Sequence, residues 1–321
     1  MTYSILLLGV TTSLGHKVVR SLALRAQDFG RIAILTDGDT ENEARAASNG
    51  LECIAGSLTD PNSYRGFDVV LSMVEDDVCA AQKEYIDAAI GGCVKHFYPA
   101  EYGADLTHAL VRDEPYFADK VSVRKYLEAR AQADNSLGYT YMMTGVEADL
   151  LLKANLLGLS QDKKSATCLG HPDAKVSTTY SDDVAQVIVR SLLPQHLPSL
   201  SVRRHVRFTG SAMPTSALYD AISYVLHHPI DVTYLTLDSS HNHESKKSHG
   251  SLQPKIAAYR RSLGFGGFEI KEPDEDQLPG RDVVCSGKEY LKELRPRCWA
   301  EVVHEYFTRG GNETTTTTAW N

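Results

Sequence analysis

The sequence predicts an α/β protein, a doubly wound parallel sheet with a smaller C-terminal α+β region. Three observations carry that expectation. Short, unbroken apolar runs recur through the first 150 residues, the form taken by strands buried on both faces. Helical segments alternate with them, so right-handed crossovers return each strand parallel to the last. A glycine-bearing turn, Gly9 to Gly15, follows the first run directly.

Ile5-Leu6-Leu7-Leu8 is the first strand, and the helix after the turn places Val18, Val19, Leu22 and Ala26 on its apolar face. Ile32 to Leu35 is the second strand, Glu41 to Ser48 an Ala/Glu-rich helix, and Leu51 to Ala55 the third strand. Asp68 to Ser72 gives the fourth, Val78 to Ile90 a long helix, and Val94 to Phe97 the fifth. After Pro99 the rhythm loosens. Tyr116 to Ala133 predicts an amphipathic helix and Tyr139 to Met143 a sixth strand. Further helices are expected near Ala148 to Leu157, Asp182 to Leu192, Thr215 to Leu226, Leu252 to Leu263 and Trp299 to Phe307. Strands fall around Ala166 to Leu169, Lys175 to Thr179 and His205 to Phe208.

Lys and Arg number 33 against 41 Asp and Glu, a formal net charge of −8. That balance argues against nucleic acid as the main partner. A phosphate still fits, because a helix N-terminus holds one without net basic charge. The apolar run Tyr3 to Val10 is far short of the ~20 residues of a membrane span, and it lacks the basic start of a signal peptide. Six scattered cysteines without a Cys-x-x-Cys fit reduced thiols. A cytoplasmic protein without membrane attachment is expected, as monomer or homodimer.

Gly9-Val10-Thr11-Thr12-Ser13-Leu14-Gly15 stands where a Rossmann-type dinucleotide-binding turn belongs. Backbone at Gly9, Thr11, Thr12, Leu14 and Gly15 approaches a pyrophosphate there, and the helix directs its positive end at it. Thr12 fills the place of a third glycine, narrowing the space while offering a hydroxyl. The second strand leads to Asp37, 22 residues past Gly15 (37 − 15), near the ~20-residue spacing of a carboxylate that accepts from the adenosine ribose. On these residues NADH is favoured over NADPH. Ser72, ending the fourth strand, is expected beside the cofactor.

Tyr116 and Lys120 are four apart, one helical turn, so both project from one face. An ammonium beside a phenol lowers the phenol's pKa of ~10 toward a useful range. Around this pair the chain resembles the NmrA-like and isoflavone-reductase-like atypical short-chain dehydrogenases. Lys95-His96-Phe97-Tyr98-Pro99-Ala100-Glu101-Tyr102-Gly103-Ala104-Asp105 is similar to their K-R-F-x-P-S-E-F-G-x-D block. Lys120 to Glu128 resembles their lysine helix, Tyr139 to Gly145 the strand and turn facing the nicotinamide, and Gly56 to Asp60 their G-D-L-x-D loop.

The resemblance implies a bound nicotinamide dinucleotide, usually NADPH, and a reductase acting on a small, often aromatic or polycyclic metabolite. It implies Lys120 as acid/base, alone or with Tyr116; Pro99, Thr144 and Gly145 at the cofactor; and Tyr98, Glu101, Tyr102 and Val146 around the substrate. Departures stand at Thr12, Ala100 and Asp37. They leave two further readings open, a redox-neutral isomerase, cyclase or rearrangement catalyst, and a non-catalytic nucleotide-sensing regulator. Residues 1–150 are read as the Rossmann-type domain, 151–309 as a mixed region completing the sheet and forming the substrate-binding lobe, and 310–321 as a disordered tail. Glu147 and Asp149 are read as the acidic start of a helix. His241, His243 and His249, in the polar loop 238–250, are read as part of a flap or a solvated insertion, with no metal expected.

Overall fold

The computed structural model describes residues 2–236, 254–271, 282–291 and 295–309. The His-rich loop 238–250 and the tail 310–321 lie outside the described residues. The chain begins β1 (Ser4–Leu8), α1 (Ser13–Ala23), β2 (Arg31–Thr36), α2 (Thr40–Ser48), β3 (Glu52–Ala55), β4 (Val69–Ser72), α3 (Gln82–Gly91) and β5 (His96–Tyr98). It continues β6 (Tyr102–Gly103), α4 (Ala109–Arg112), α5 (Ala118–Ala133), β7 (Gly138–Met143), β8 (Val146–Glu147), α6 (Ala148–Lys153), β9 (Ser165–Leu169) and β10 (Lys175–Thr179). Then come α7 (Ser181–Ser191), β11 (Arg203–Arg207), β12 (Ser211–Pro214), α8 (Thr215–Leu226), β13 (Asp231–Leu235), α9 (Pro254–Gly264), β14 (Val283–Ser286) and α10 (Trp299–Thr308).

The main sheet has the order β3-β2-β1-β4-β5-β7-β11-β14, with β6 also on β7. Its pairings are all parallel. The continuous apolar run of β1 serves both faces. Ile5 and Leu7 join Val18, Val19 and Leu22 of α1 and Val187, Ile188 and Leu192 of the α7 side, whereas Leu6 and Leu8 join Ile86, Ala89, Val123 and Leu127. Period-two alternation therefore operates inside a sequence with no polar partner positions. Each fully buried leucine contributes about 1.5–3 kcal/mol. A third cluster, with Leu151, Leu218, Ile222, Phe268, Trp299 and Val303, fills the C-terminal lobe, where β12-β10-β8 and β13-β9 make two small sheets.

Several boundaries differ from expectation. The helix expected from Val78 is a 3-10 segment, Asp76–Ala81, followed by α3. The helix expected from Tyr116 begins at Ala118, because Pro115 opens a 3-10 turn that carries Tyr116 and Phe117. α6 stops at Lys153, and Asn155 turns the chain with φ of 47°. β13 and β14 were not expected. Both are short, and β14 lies at the sheet edge.

Candidate functional site

The sheet order reverses between β1 and β4, and the helices that follow them, α1 and α3, pack into the clusters on opposite faces of the sheet. Gly9, directly after β1, has φ of +63°, and a Cβ there would stand 2.7 Å from Val74 Cα. Glycine is required on both counts. Thr12 caps α1, its hydroxyl accepting from Gly15 N at 2.9 Å. The amides of Ser13 and Leu14, at the helix start, have no intrahelical acceptor. Thr11 Oγ1 stands 3.5 Å from Glu75 Oε1, so the turn after β1 touches the loop after β4. Leu14 is buried. The start of α1 therefore stands at the carboxyl end of β1, where the strand order reverses.

Asp76 lies just past β4, next to the Glu75 that Thr11 meets. Its Oδ1 is 2.8 Å from Lys120 Nζ, and its Oδ2 is 2.6 Å from Lys255 Nζ on α9. The Tyr116 hydroxyl donates to the same Oδ2 at 2.7 Å. Lys120 and Tyr116 thus meet through a carboxylate. Burial opposes the charge on Lys120, but Asp76 outweighs it and holds the ammonium above its ordinary range. Burial likewise opposes ionised Asp76, and Lys120 and Lys255 outweigh it, holding the carboxyl well below its ordinary range. Burial and then Asp76 push the Tyr116 phenol upward. The activated phenol expected of a Tyr–Lys pair is therefore not formed, because a negative charge occupies the place nearest its oxygen.

Tyr259 of α9 stands over this cluster, 6.1 Å from Tyr116 and 5.6 Å from Phe117 between ring centres. Its phenol is raised by burial, and it feels Lys120, Asp76 and Glu147 in turn. Glu147, ending β8, makes no side-chain cap to α6. Burial and then Asp149 push it up to about 7, against Lys17, Lys255 and Lys153. Asp149 instead accepts from Ser181 Oγ at 2.6 Å and pairs with Lys17.

The remaining expected residues divide. Ser72 and Thr144 are fully buried, and Ser72 Oγ and Thr144 Oγ1 have no hydrogen-bond partner among the described residues. Gly145 has φ of +70°, and a Cβ there would strike the Ser177 carbonyl. Pro99 is buried beside Ala100. Tyr102 donates to Ser72 O at 2.9 Å. Tyr98, Glu101 and Val146, expected around the substrate, are core residues. The Tyr98 hydroxyl lies among Ser191 and Arg204, Glu101 pairs with buried Arg124, and Val146 is 1% exposed. Asp37 is exposed. Sequence reasoning missed Asp76, Lys255 and Tyr259; Glu147, read as marking a helix N-terminus, does stand at the N-cap of α6, without a side-chain cap. Lys255 and Tyr259 are also four apart on one helix, a spacing that could have flagged them.

Two open surface hollows, one around Lys164, His228 and Ile230 and one around Met213, Pro214 and Ile270, share none of these residues. Among the described residues no three metal-ligating side chains converge, and no helix is long and apolar enough to cross a membrane.

Residues 1–239 match the NmrA-like family. The chain belongs to that family. It is 26% identical over 199 residues to the oxidoreductase aprR of Aspergillus flavus, covering 60% of this chain and 65% of the relative. It is 28% identical over 204 residues to phenylcoumaran benzylic ether reductase PT1 of Pinus taeda, covering 59% and 64%. The matches therefore span under two thirds of these relatives' length. Among solved structures, isoflavone reductase superposes with a TM-score of 0.75 at 18% identity, covering 95% of this chain and 100% of that one. AtPrR2 with NADP+ and (+)pinoresinol gives 0.73 at 19% identity, covering 95% and 99%. These likenesses establish the Rossmann-type fold of this NmrA-like chain.

Proposed function

We propose that this chain is a nicotinamide-dependent oxidoreductase acting on a small aromatic metabolite. One observation carries the reading. At the carboxyl ends of adjacent parallel strands, where the strand order reverses, an anion-accepting glycine turn faces a Lys120–Asp76–Tyr116 cluster. The reductase names of its relatives support it.

The residues present fit the cofactor. Gly9 and the start of α1 would take the pyrophosphate, with Thr12 already committed to Gly15. The unpartnered hydroxyls of Ser72 and Thr144 would satisfy polar groups of the nicotinamide half, near the Gly145 backbone. At the adenosine end Asp37 is exposed, and Arg45 of α2 has a side chain that is 14% exposed and held by Glu41 at 2.7 Å. Its Nε has no partner. Arg45 also acts on His16 of α1. On this reading Arg45 supplies the cation for a 2′-phosphate, and NADPH is the cofactor, against the preference drawn from Asp37 alone.

When bound, NADPH supplies a hydride. Lys120, kept charged by Asp76, donates a hydrogen bond or proton to a substrate oxygen that gains negative charge. Tyr116 orients Asp76. Glu147 is the neighbouring carboxyl able to exchange a proton near neutrality.

Titration with NADPH and NADH, followed by nicotinamide fluorescence, tests this. NADPH is expected to bind more tightly, and Arg45→Ala to erase the difference. Absence of binding by either cofactor overturns the reading. Lys120→Ala retaining full hydride transfer to an aromatic carbonyl probe overturns the role of Lys120.

A further inference from the structure

Asp76 and Lys120 meet at 2.8 Å, yet they come from separate segments. Asp76 opens the 3-10 turn Asp76–Ala81, and Lys120 lies in the first turn of α5. Both segments are tied to one short stretch, residues 99–102. From α5, Arg124 stands one helical turn past Lys120 and pairs with Glu101, both of them buried. From β4, the Ser72 carbonyl accepts from Tyr102 at 2.9 Å. From the Asp76 turn the tie is Gln82, the first residue of α3, 1% exposed. Its Oε1 accepts from Ala100 N at 2.8 Å. Its Nε2 donates to Cys79 O at 3.2 Å, with Cys79 Sγ at the same distance. One side-chain amide thus satisfies two buried backbone groups from two different segments.

We propose that Gln82 is a positioning residue for the Lys120–Asp76 pair, holding the Asp76 turn at the distance from α5 that the ion pair needs. The links close on themselves: Asp76 to Gln82 along the turn, Gln82 to Ala100, Glu101 to Arg124, and α5 back to Lys120. An ammonium held in contact with a carboxylate keeps its proton far better than one with water let in between. Besides Asp76, Lys120 feels Tyr259 of α9, Cys79 of the turn and Glu101, with Tyr116 and Lys255 on the same carboxylate. None of these takes the place of Asp76. Glu101 is committed to Arg124, and the thiol and the phenol stay neutral because burial pushes both upward. Loss of the Gln82 link therefore reaches Lys120 through Asp76. This inference deepens the reading of Lys120 as the acid of the reaction, and rests on it.

The test is competitive acetylation of the full chain by acetic anhydride at pH 9, without cofactor, read at each lysine by mass spectrometry. Gln82→Met keeps the length of the side chain and removes both hydrogen bonds. It is expected to speed labelling of Lys120 about tenfold, as a loosened partner charge does. Lys17, held by Asp149 and Asp182 at 3.5 and 3.3 Å, is expected to label unchanged, whereas a general loosening of the fold speeds both. In an Asp76→Asn background, where the carboxylate is already gone, Gln82→Met is expected to add less than about twofold. Gln82→Asn, gentler on the fold, keeps an amide one methylene too short to reach Ala100, and is expected to match Gln82→Met. Unaltered labelling of Lys120 in either variant, equal acceleration of Lys17, or an undiminished effect in the Asp76→Asn background overturns the inference. Labelling needs neither cofactor nor substrate. Absence of NADPH binding by the unaltered chain therefore refutes the oxidoreductase reading, and the hold of Gln82 on the pair is decided by the labelling.

Discussion

Replacing Glu147 by Gln removes a carboxyl that the fold holds against its ordinary preference. Glu147 is half-buried at the end of β8, and burial with Asp149 pushes it up to about 7 from an ordinary 4.5. In the unfolded chain it titrates near 4.3. Between these values the folded chain keeps a proton that the unfolded chain has released. Stability from this group therefore falls as pH rises through the window and is level above it, the reverse of a salt-bridged carboxylate. The whole interval corresponds to roughly 3.5–4 kcal/mol. Partial solvent access reduces the effect to about 1–2 kcal/mol. Glutamine matches the protonated form in shape and cannot ionise. Glu147→Gln is thus expected to leave stability unchanged at pH 4 and to raise it by about 1–2 kcal/mol at pH 8, read from urea melts at the two pH values. An equal effect at both, or a loss at pH 8, refutes the placement of Glu147 in a desolvated, anion-crowded position.

Other outcomes are expected from the same geometry. Gly9→Ala forces a left-handed alanine against the Val74 backbone and is expected to cost about 2–4 kcal/mol, with loss of NADPH binding in the fraction that folds; denaturation melts and nicotinamide fluorescence check both. Asp76→Asn leaves Lys120 and Lys255 without their carboxylate and is expected to cost about 2 kcal/mol at neutral pH. Because Asp76 is held below its ordinary range, that difference persists above about pH 5 and shrinks as pH falls below about 4, which urea melts across that range measure. Arg45→Ala is expected to weaken NADPH by about tenfold and to leave NADH within about twofold, measured by fluorescence titration of each cofactor.

The parallel sheet was legible because its signal is local. A run such as Ile5 to Leu8 admits few fates, and the alternation with helices fixes the direction of the next strand. Lys120 was also legible, standing in a motif-bearing helix. Its partner was not. Glu75-Asp76-Asp77 reads as the acidic start of a helix, and nothing local says that one of the three faces two lysines, the second from Lys255 far along the chain. Tyr98 and Glu101 show the limit of motif position in another way. Motif position placed them by the substrate, whereas Arg204 and Arg124 draw them into the interior. Tyr116 and Lys120 were read together from their four-residue spacing, which shows proximity without showing that Asp76 lies between them.

The packing of α7 on α1 and of β11 on β7 has a consequence for how the chain comes to be made. β7 ends at Met143 and its outer neighbour β11 begins only at Arg203. During synthesis, therefore, the apolar strand Gly138–Met143 emerges as an open edge, and the α1 face later covered by Val187, Ile188 and Leu192 waits uncovered. A fragment ending at residue 150 would keep both surfaces bare permanently. The N-terminal half is thus not a module that matures first and receives its lobe afterwards. It waits on residues that follow the lobe's first strands, and the nascent protein is most exposed to self-association after the glycine turn has already been made.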